Sequence, residues 1–250
     1  MIKRVTSPVL LIMFMIVLWE VSTRVLEIPK WILPAPTNIL LEAYENWSNY
    51  EHHIYATVKL ATIGFFASIT IGFVIAMILH LLPKWKEALY PLLIVSQNIP
   101  IIVLAPLLVI WFGFGITPKL LIIILVCFFP IAVATIDGLK QTSPELIHYM
   151  KMAGANKKQI FLKLELPYAL PAIFSGLKIS ATYSVMGAVI SEWLGANEGI
   201  GVYMTLASSS FRTDRVFVAI LFIMLLCFVY FAIILLLERH FLKWRREEHQ

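Results

Sequence analysis

Six predominantly apolar stretches, each close to the length a helix needs to cross a bilayer, leave this chain few ways to fold. They cover about 7–26, 61–82, 89–112, 119–137, 169–192 and 216–237. A helix rises about 1.5 Å per residue, so about 20 residues traverse the roughly 30 Å of hydrocarbon. Backbone N–H and C=O groups find no water there, so helices that satisfy their own hydrogen bonds are the expected form. Apolar residues make up 60% of the sequence and charged residues 14%, against about 25% charged in an ordinary soluble domain. The 250 residues suit one membrane domain, 1–250, with six crossings and little left for a soluble domain. The fold class is therefore an all-α integral membrane bundle.

The first stretch begins like a signal peptide, with Lys3 and Arg4 before an apolar core at 9–19. No small-x-small cleavage site follows, only Glu20, Arg24 and Glu27, so an uncleaved span is expected. Placing both termini inside puts Lys3, Arg4, Lys84, Lys86, Lys140, Lys151, Lys157, Lys158, Lys163, Arg239, Lys243, Arg245 and Arg246 on the inner side. Only Arg24, Lys30, Lys59, Lys119, Arg212 and Arg215 then lie outside, which supports N-in, C-in. Lys178 falls within the fifth stretch near its inner end, from which it can snorkel to the interface. The net charge of +5 is accounted for by these inner rims and does not call for nucleic acid. Cys127 and Cys227 both lie in apolar runs, so neither a disulfide framework nor a metal site is indicated.

Two stretches carry small residues at every fourth position. These are Gly64, Ser68, Gly72 and Ala76 in the second, and Gly176, Ser180, Ser184 and Ala188 in the fifth. Such stripes let helices approach closely and mark core members of the bundle. The long outer loop, about 27–59, contains WILPAPTNILLEAYENW, whose spacing suits an interfacial helix after the Pro34/Pro36 turn. Polar groups deep in spans are costly unless paired or wetted, so they are candidates for a pathway. Ser96, Gln97 and Asn98 lie among Pro91, Pro100 and Pro106 in the third stretch; Thr182, Ser191 and Glu192 lie in the fifth. Each of them also suits hydrogen bonding between helices, and Glu192 could be solvated or paired with Arg212 or Arg215. Gly195, Gly199 and Gly201 follow it and read as a bend, or as an outer gate that re-enters the membrane.

The inner loop, 138–168, is amphipathic and basic. Ser143 suits an N-cap, Pro144 the first helical position and Glu145 the positive end of the dipole. Leu146, Met150, Ala153, Ile160 and Leu164 recur on one helical face, Gly154 bends or splits the helix, and Pro167 and Pro171 end it. Two readings suit the pattern: a helix lying on anionic lipid, or one docking in a groove of a soluble partner.

Within this loop, Gly154 is followed by nine residues and then Leu164-Glu165-Leu166-Pro167. The segment resembles the cytoplasmic loop E-A-A-x3-G-x9-I-x-L-P of permease subunits of binding-protein-dependent ABC importers. His148, Tyr149 and Met150 replace E-A-A, and Leu164 replaces Ile. LPAP at 33–36, NIPIIVLAPLLVIWFGFG at 98–115 and SEWLGANEGIGVYM at 191–204 extend the resemblance over most of the chain, towards the nitrate/sulfonate/taurine branch. The resemblance implies a type I (MetI-like) bundle that pairs with a second permease copy, two ABC ATPase subunits and an extracytoplasmic binding protein, in a bacterial plasma membrane. Ala153, Gly154, Ala155, Asn156, Lys157, Lys158, Leu166 and Pro167 would then couple the chain to the ATPases. ATP and Mg would sit on those partners, with no cofactor on this chain. The 191–204 portion looks closest to permeases for pyrimidine precursors of thiamine, with sulfonates, taurine or nitrate as alternatives. An ion-gradient transporter would usually show internal repeats and buried coupling acids; here one acid lies at a span edge and no repeat is visible. The sequence also lacks G-x-x-x-x-G-K-[ST], H-E-x-x-H and G-x-S-x-G, so neither ATP hydrolysis nor hydrolytic chemistry is expected on this chain.

Overall fold

A computed structural model describes residues 2–243, with side chains from residue 9 onward. The Lys3 and Arg4 side chains, and Arg245 and Arg246 altogether, lie outside the described residues. Eleven α-helices follow in order: α1 Ile2–Val25, α2 Pro36–Glu45, α3 Trp47–Leu81, α4 Pro83–Ser96, α5 Ile101–Phe112 and α6 Ile116–Lys140. After these come α7 Pro144–Met152, α8 Lys157–Ile160, α9 Leu166–Glu192, α10 Ile200–Ser209 and α11 Thr213–Phe241. Among the described residues there is no strand. Four helical runs are long and apolar enough to cross a membrane: α3, α6, Lys157–Glu192 and α11. Helix α1 covers the first apolar stretch. Below, "inner" denotes the end carrying the basic loop and "outer" the opposite end.

Helix α6 is the hub, clasped between α3 and α9 by the two small-residue stripes. A Cβ on Gly64 would come within 2.5 Å of Ile123, and one on Gly176 within 2.6 Å of the Pro130 carbonyl oxygen. Across the same seam, Ser180 Oγ donates to the Cys127 carbonyl at 2.6 Å. The stripes thus let backbones touch, which is where helices in lipid gain packing energy when no hydrophobic effect acts between them.

Two expectations need correction, and the third apolar stretch, which its prolines break, bends sharply: α4 and α5 meet at 99° across the break at 97–100. Pro100 denies Ile99 the helical region and offers no N–H, so the chain turns there. Pro167 does not end the inner helix. A π-turn, Phe161–Glu165, joins α8 to α9, and the helix continues through both Pro167 and Pro171. The wider π-turn relieves the clash between a proline ring and the carbonyl one turn back. Finally, Lys178 does not snorkel; its Nζ lies 2.8 Å from Glu238 of α11, both side chains mostly covered.

Helix α2 confirms a helix after Pro34/Pro36, and it is pinned to the bundle. Ile39 packs with Tyr50, Tyr203, Ala207 and Val218. Glu42 holds both Arg212 and Arg215, at 3.2 and 2.9 Å. The charges near the end of α1 are accounted for locally: Glu20 bonds Arg24 and the Thr37 backbone and hydroxyl. The apolar side chains of α1 from 9 to 18 are otherwise exposed, as suits lipid or a partner chain.

Candidate functional site

Two constellations stand out, at opposite ends of α9. The inner one is the basic loop. Ser143 caps α7 by accepting the Leu146 N–H at 3.5 Å, and the Ser143 hydroxyl holds the Glu145 carboxyl below the usual carboxylate range. Helix α7 stops at a Schellman turn, in which Ala155 N–H donates to the Met150 carbonyl and Gly154 N–H to that of Lys151, both at 3.0 Å. That turn needs φ +83° at Gly154, a conformation that glycine alone adopts freely. Asn156 then restarts the chain through a capping box with Gln159, at 2.8 and 2.9 Å.

The result is a tight tip at 153–156 with open space around Gly154. Gly154 therefore splits the amphipathic segment, and the single apolar face expected from Leu146, Met150, Ala153, Ile160 and Leu164 breaks up. Ile160 is buried, while Leu146 and Ala153 are exposed. No residue of α7 is buried, and Tyr149 and Met152 are 67% and 69% exposed. Lys157 and Lys158 are exposed just beyond the tip; Leu166 and Pro167 begin α9.

The outer constellation centres on Glu192, which is only 2% exposed. Thr57 Oγ1 donates to its Oε1 at 2.7 Å, and Gly201 N–H donates to its Oε2 at 2.8 Å. Ile200 N–H donates to Thr57 Oγ1 at 2.8 Å, and Gly199 N–H to His53 Nδ1 at 3.0 Å. Three consecutive backbone amides at the start of α10 are thus held by side chains of α3 and α9. The glycines follow from this. Gly199 has φ +130°, and a Cβ there would overlap the Glu192 carboxyl. Glu192 is therefore neither solvated nor paired with Arg212 or Arg215, which are engaged by Glu42 and, for Arg212, Asp214.

Beside this clamp lies a recess of about 470 Å³ bordered by Tyr55, Lys59, Lys119, Glu192, Asn197 and Glu198, among others. Among the described residues, Lys59, Lys119 and Glu198 form no ion pair, so the recess presents two ammonium groups and the Glu198 carboxylate, with the Glu192 carboxyl buried in its wall.

The remaining pathway candidates do not join Glu192. Ser96, Gln97 and Asn98 are exposed at the α4–α5 bend, where Ser96 bonds the Leu93 carbonyl and Asn98 that of Ile94. Thr182 and Ser191 each donate to their own helix, to Ile179 and Ala188 carbonyls at 2.8 and 2.7 Å. The packing residues Gly64, Ser68, Gly72, Gly176, Ser180 and Ser184 are all buried. Sequence reasoning missed Thr57 and His53 because it began the second span at residue 61. The helix starts at Trp47, and its polar residues His53 and Thr57 sit four apart on one buried face.

Residues 68–243 match the family described as the binding-protein-dependent transport system inner membrane component. The formylaminopyrimidine transport permease protein ThiX of Halalkalibacterium halodurans is 37% identical over 243 residues, 97% of each chain. The riboflavin transport system permease protein RibX of Chloroflexus aurantiacus is 31% identical over 235 residues, covering 93% of this chain and 88% of its own. Among solved structures, an inward-facing MetNI methionine ABC transporter shares the fold, with TM-score 0.57 at 18% identity, over 73% of this chain and 93% of that one.

Proposed function

Because this chain belongs to the family of binding-protein-dependent transport system inner membrane components, a transport permease of ABC importers and not an enzyme, we propose that it carries a small heteroaromatic solute, a pyrimidine precursor of thiamine, across the inner membrane. In this reading residues 1–250 form one membrane domain with both termini inside, and two copies assemble with two ATPase subunits that supply ATP and Mg. An extracytoplasmic binding protein delivers the solute.

The observation that carries the coupling part is the tip at 153–156. Its glycine turn stands in open space, and the adjacent α7 leaves Tyr149 and Met152 uncovered. A short helix with an uncovered apolar face suits a groove in a soluble partner. Purification in mild detergent should bring an ATPase along at near-equal stoichiometry, and Gly154→Trp should lose it. A chain that arrives alone, and transports on an ion gradient, overturns the reading.

The substrate part is supported by the relative named for formylaminopyrimidine, 37% identical to this chain. Proteoliposomes holding the permease, its ATPase and its binding protein should accumulate labelled formylaminopyrimidine on ATP addition. Accumulation of taurine instead would assign the chain to sulfonates.

A further inference from the structure

The two ends of α9 are carboxylates, and each reaches α3. At the outer end Glu192 accepts from Thr57 at 2.7 Å. At the inner end Glu165, the last residue of the π-turn, lies 3.1 Å from His80 Nε2, and the His80 ring packs against Phe161 at 5.8 Å between centroids. Thr57 and His80 are 23 residues apart, about 35 Å along a helix, so the two ties sit near opposite membrane faces.

Between the ties, α3 and α9 meet through Phe65, Ile69, Phe174 and Leu177. Such apolar contacts are non-directional and permit packed helices to slide by small shears. The hydrogen bonds at both ends do not, because their geometry is narrow. The π-turn bears on the inner tie. One extra residue in a turn offsets the helix face by about 100°, and that offset sets Glu165 beside His80 in the stretch joining the Gly154 tip to α9.

We propose that Glu165 and Glu192 are positioning residues that lock α9 to α3 at both membrane faces, so that the pair moves as one strut from the Gly154 tip to the outer lip at 193–199. This rests on the reading that the tip engages an ATPase. A push on the tip then reaches the outer recess directly, since the amides of Gly199, Ile200 and Gly201 hang on His53, Thr57 and Glu192. The inner tie fixes α3 to the moving segment, and the outer tie fixes the lip to both helices.

The test uses the permease–ATPase complex in nanodiscs, with Trp193→Cys, exposed at the lip and not among the residues bordering the recess, as the reporter. Cys127 is buried and Cys227 half-buried, and a parent without the added cysteine corrects for both. A membrane-impermeant maleimide is read on the permease band, with ATP plus vanadate against no nucleotide. The reporter alone should show a change in labelling rate of about fivefold or more, the low end of couplings between distant sites. His80→Ala and Glu165→Ala should each abolish that change while the ATPase still co-purifies. The reversed pair, His80→Glu with Glu165→His, should restore it, which a merely structural loss would not allow. A full response in His80→Ala, failure of the reversed pair to rescue an assembled complex, or no nucleotide response in the reporter alone would each overturn the strut. Absence of the ATPase from the unaltered complex would instead overturn the function on which it rests.

Discussion

Replacing Glu192 by alanine should destabilise the chain far more than replacing it by glutamine, and the hydrogen bonds say why. In Glu192→Ala the Gly201 N–H loses its acceptor in a buried setting, while Thr57 can still donate to the His53 carbonyl at 3.1 Å. One orphaned buried donor costs about 1–3 kcal/mol, and the cavity left by the side chain adds to it. Relief from burying a carboxylate offsets part of this. A net loss of about 2–3 kcal/mol is expected, which for a chain of this size lowers the melting midpoint by about 4–12 °C.

Glutamine behaves differently. Its carbonyl can accept from Gly201, and its NH₂ can donate to the free lone pair of Thr57, whose own proton turns to His53. Only the second amide N–H gains no partner, and removal of the buried charge offsets it, so Glu192→Gln should melt within about 1 kcal/mol of the parent, or about 4 °C. The assay is thermal unfolding of the purified chain in one detergent, followed by tryptophan emission. Should glutamine fall as far as alanine, the negative charge and not the hydrogen-bond pattern holds the lip, and the reasoning fails.

Other substitutions test the packing, the glycine turns and the ion pair between α9 and α11. Gly176→Ala places a Cβ 2.6 Å from the Pro130 carbonyl oxygen and the Ala134 Cβ; α6 and α9 must part, and overpacking of about 1–3 kcal/mol should outweigh the roughly 1 kcal/mol that alanine gains in helix propensity, read as a lower melting midpoint. Gly199→Ala meets both φ +130° and the Glu192 carboxyl, so it should lower the midpoint more than Gly154→Ala, where the strain is of φ alone and nothing lies within 4 Å. Lys178→Ala strands Glu238 between α9 and α11 and should cost about 1–3 kcal/mol, below the value for a fully buried pair because both side chains are about a fifth exposed. Lys178→Met with Glu238→Leu should recover most of that loss in the same melting assay.

Much of the bundle was legible in the sequence because lipid removes alternatives. An apolar run of about 20 residues must be helical there, and small residues at every fourth position must face another helix. Gly64, Gly72 and Gly176 announced themselves in this way, and Gly154 marked the end of α7 because glycine is the residue that turns left-handed without strain. Ser143 and Pro144 began α7 where their capping chemistry required. These signals are local, each read within a few neighbouring residues.

The tertiary structure decided what no local signal carries. Which helix the stripes face, α6 in both cases, depends on topology. Glu192 could be solvated or paired with an arginine by sequence alone; it bonds Thr57, 135 residues away, because α3 runs on past its apolar stretch to bring that hydroxyl alongside. His80 and Glu165, 85 residues apart, likewise meet only once the π-turn sets the face of the helix. Helix periodicity orders side chains along one element, but a polar contact between elements is fixed by how they pack, and that is a property of the folded chain.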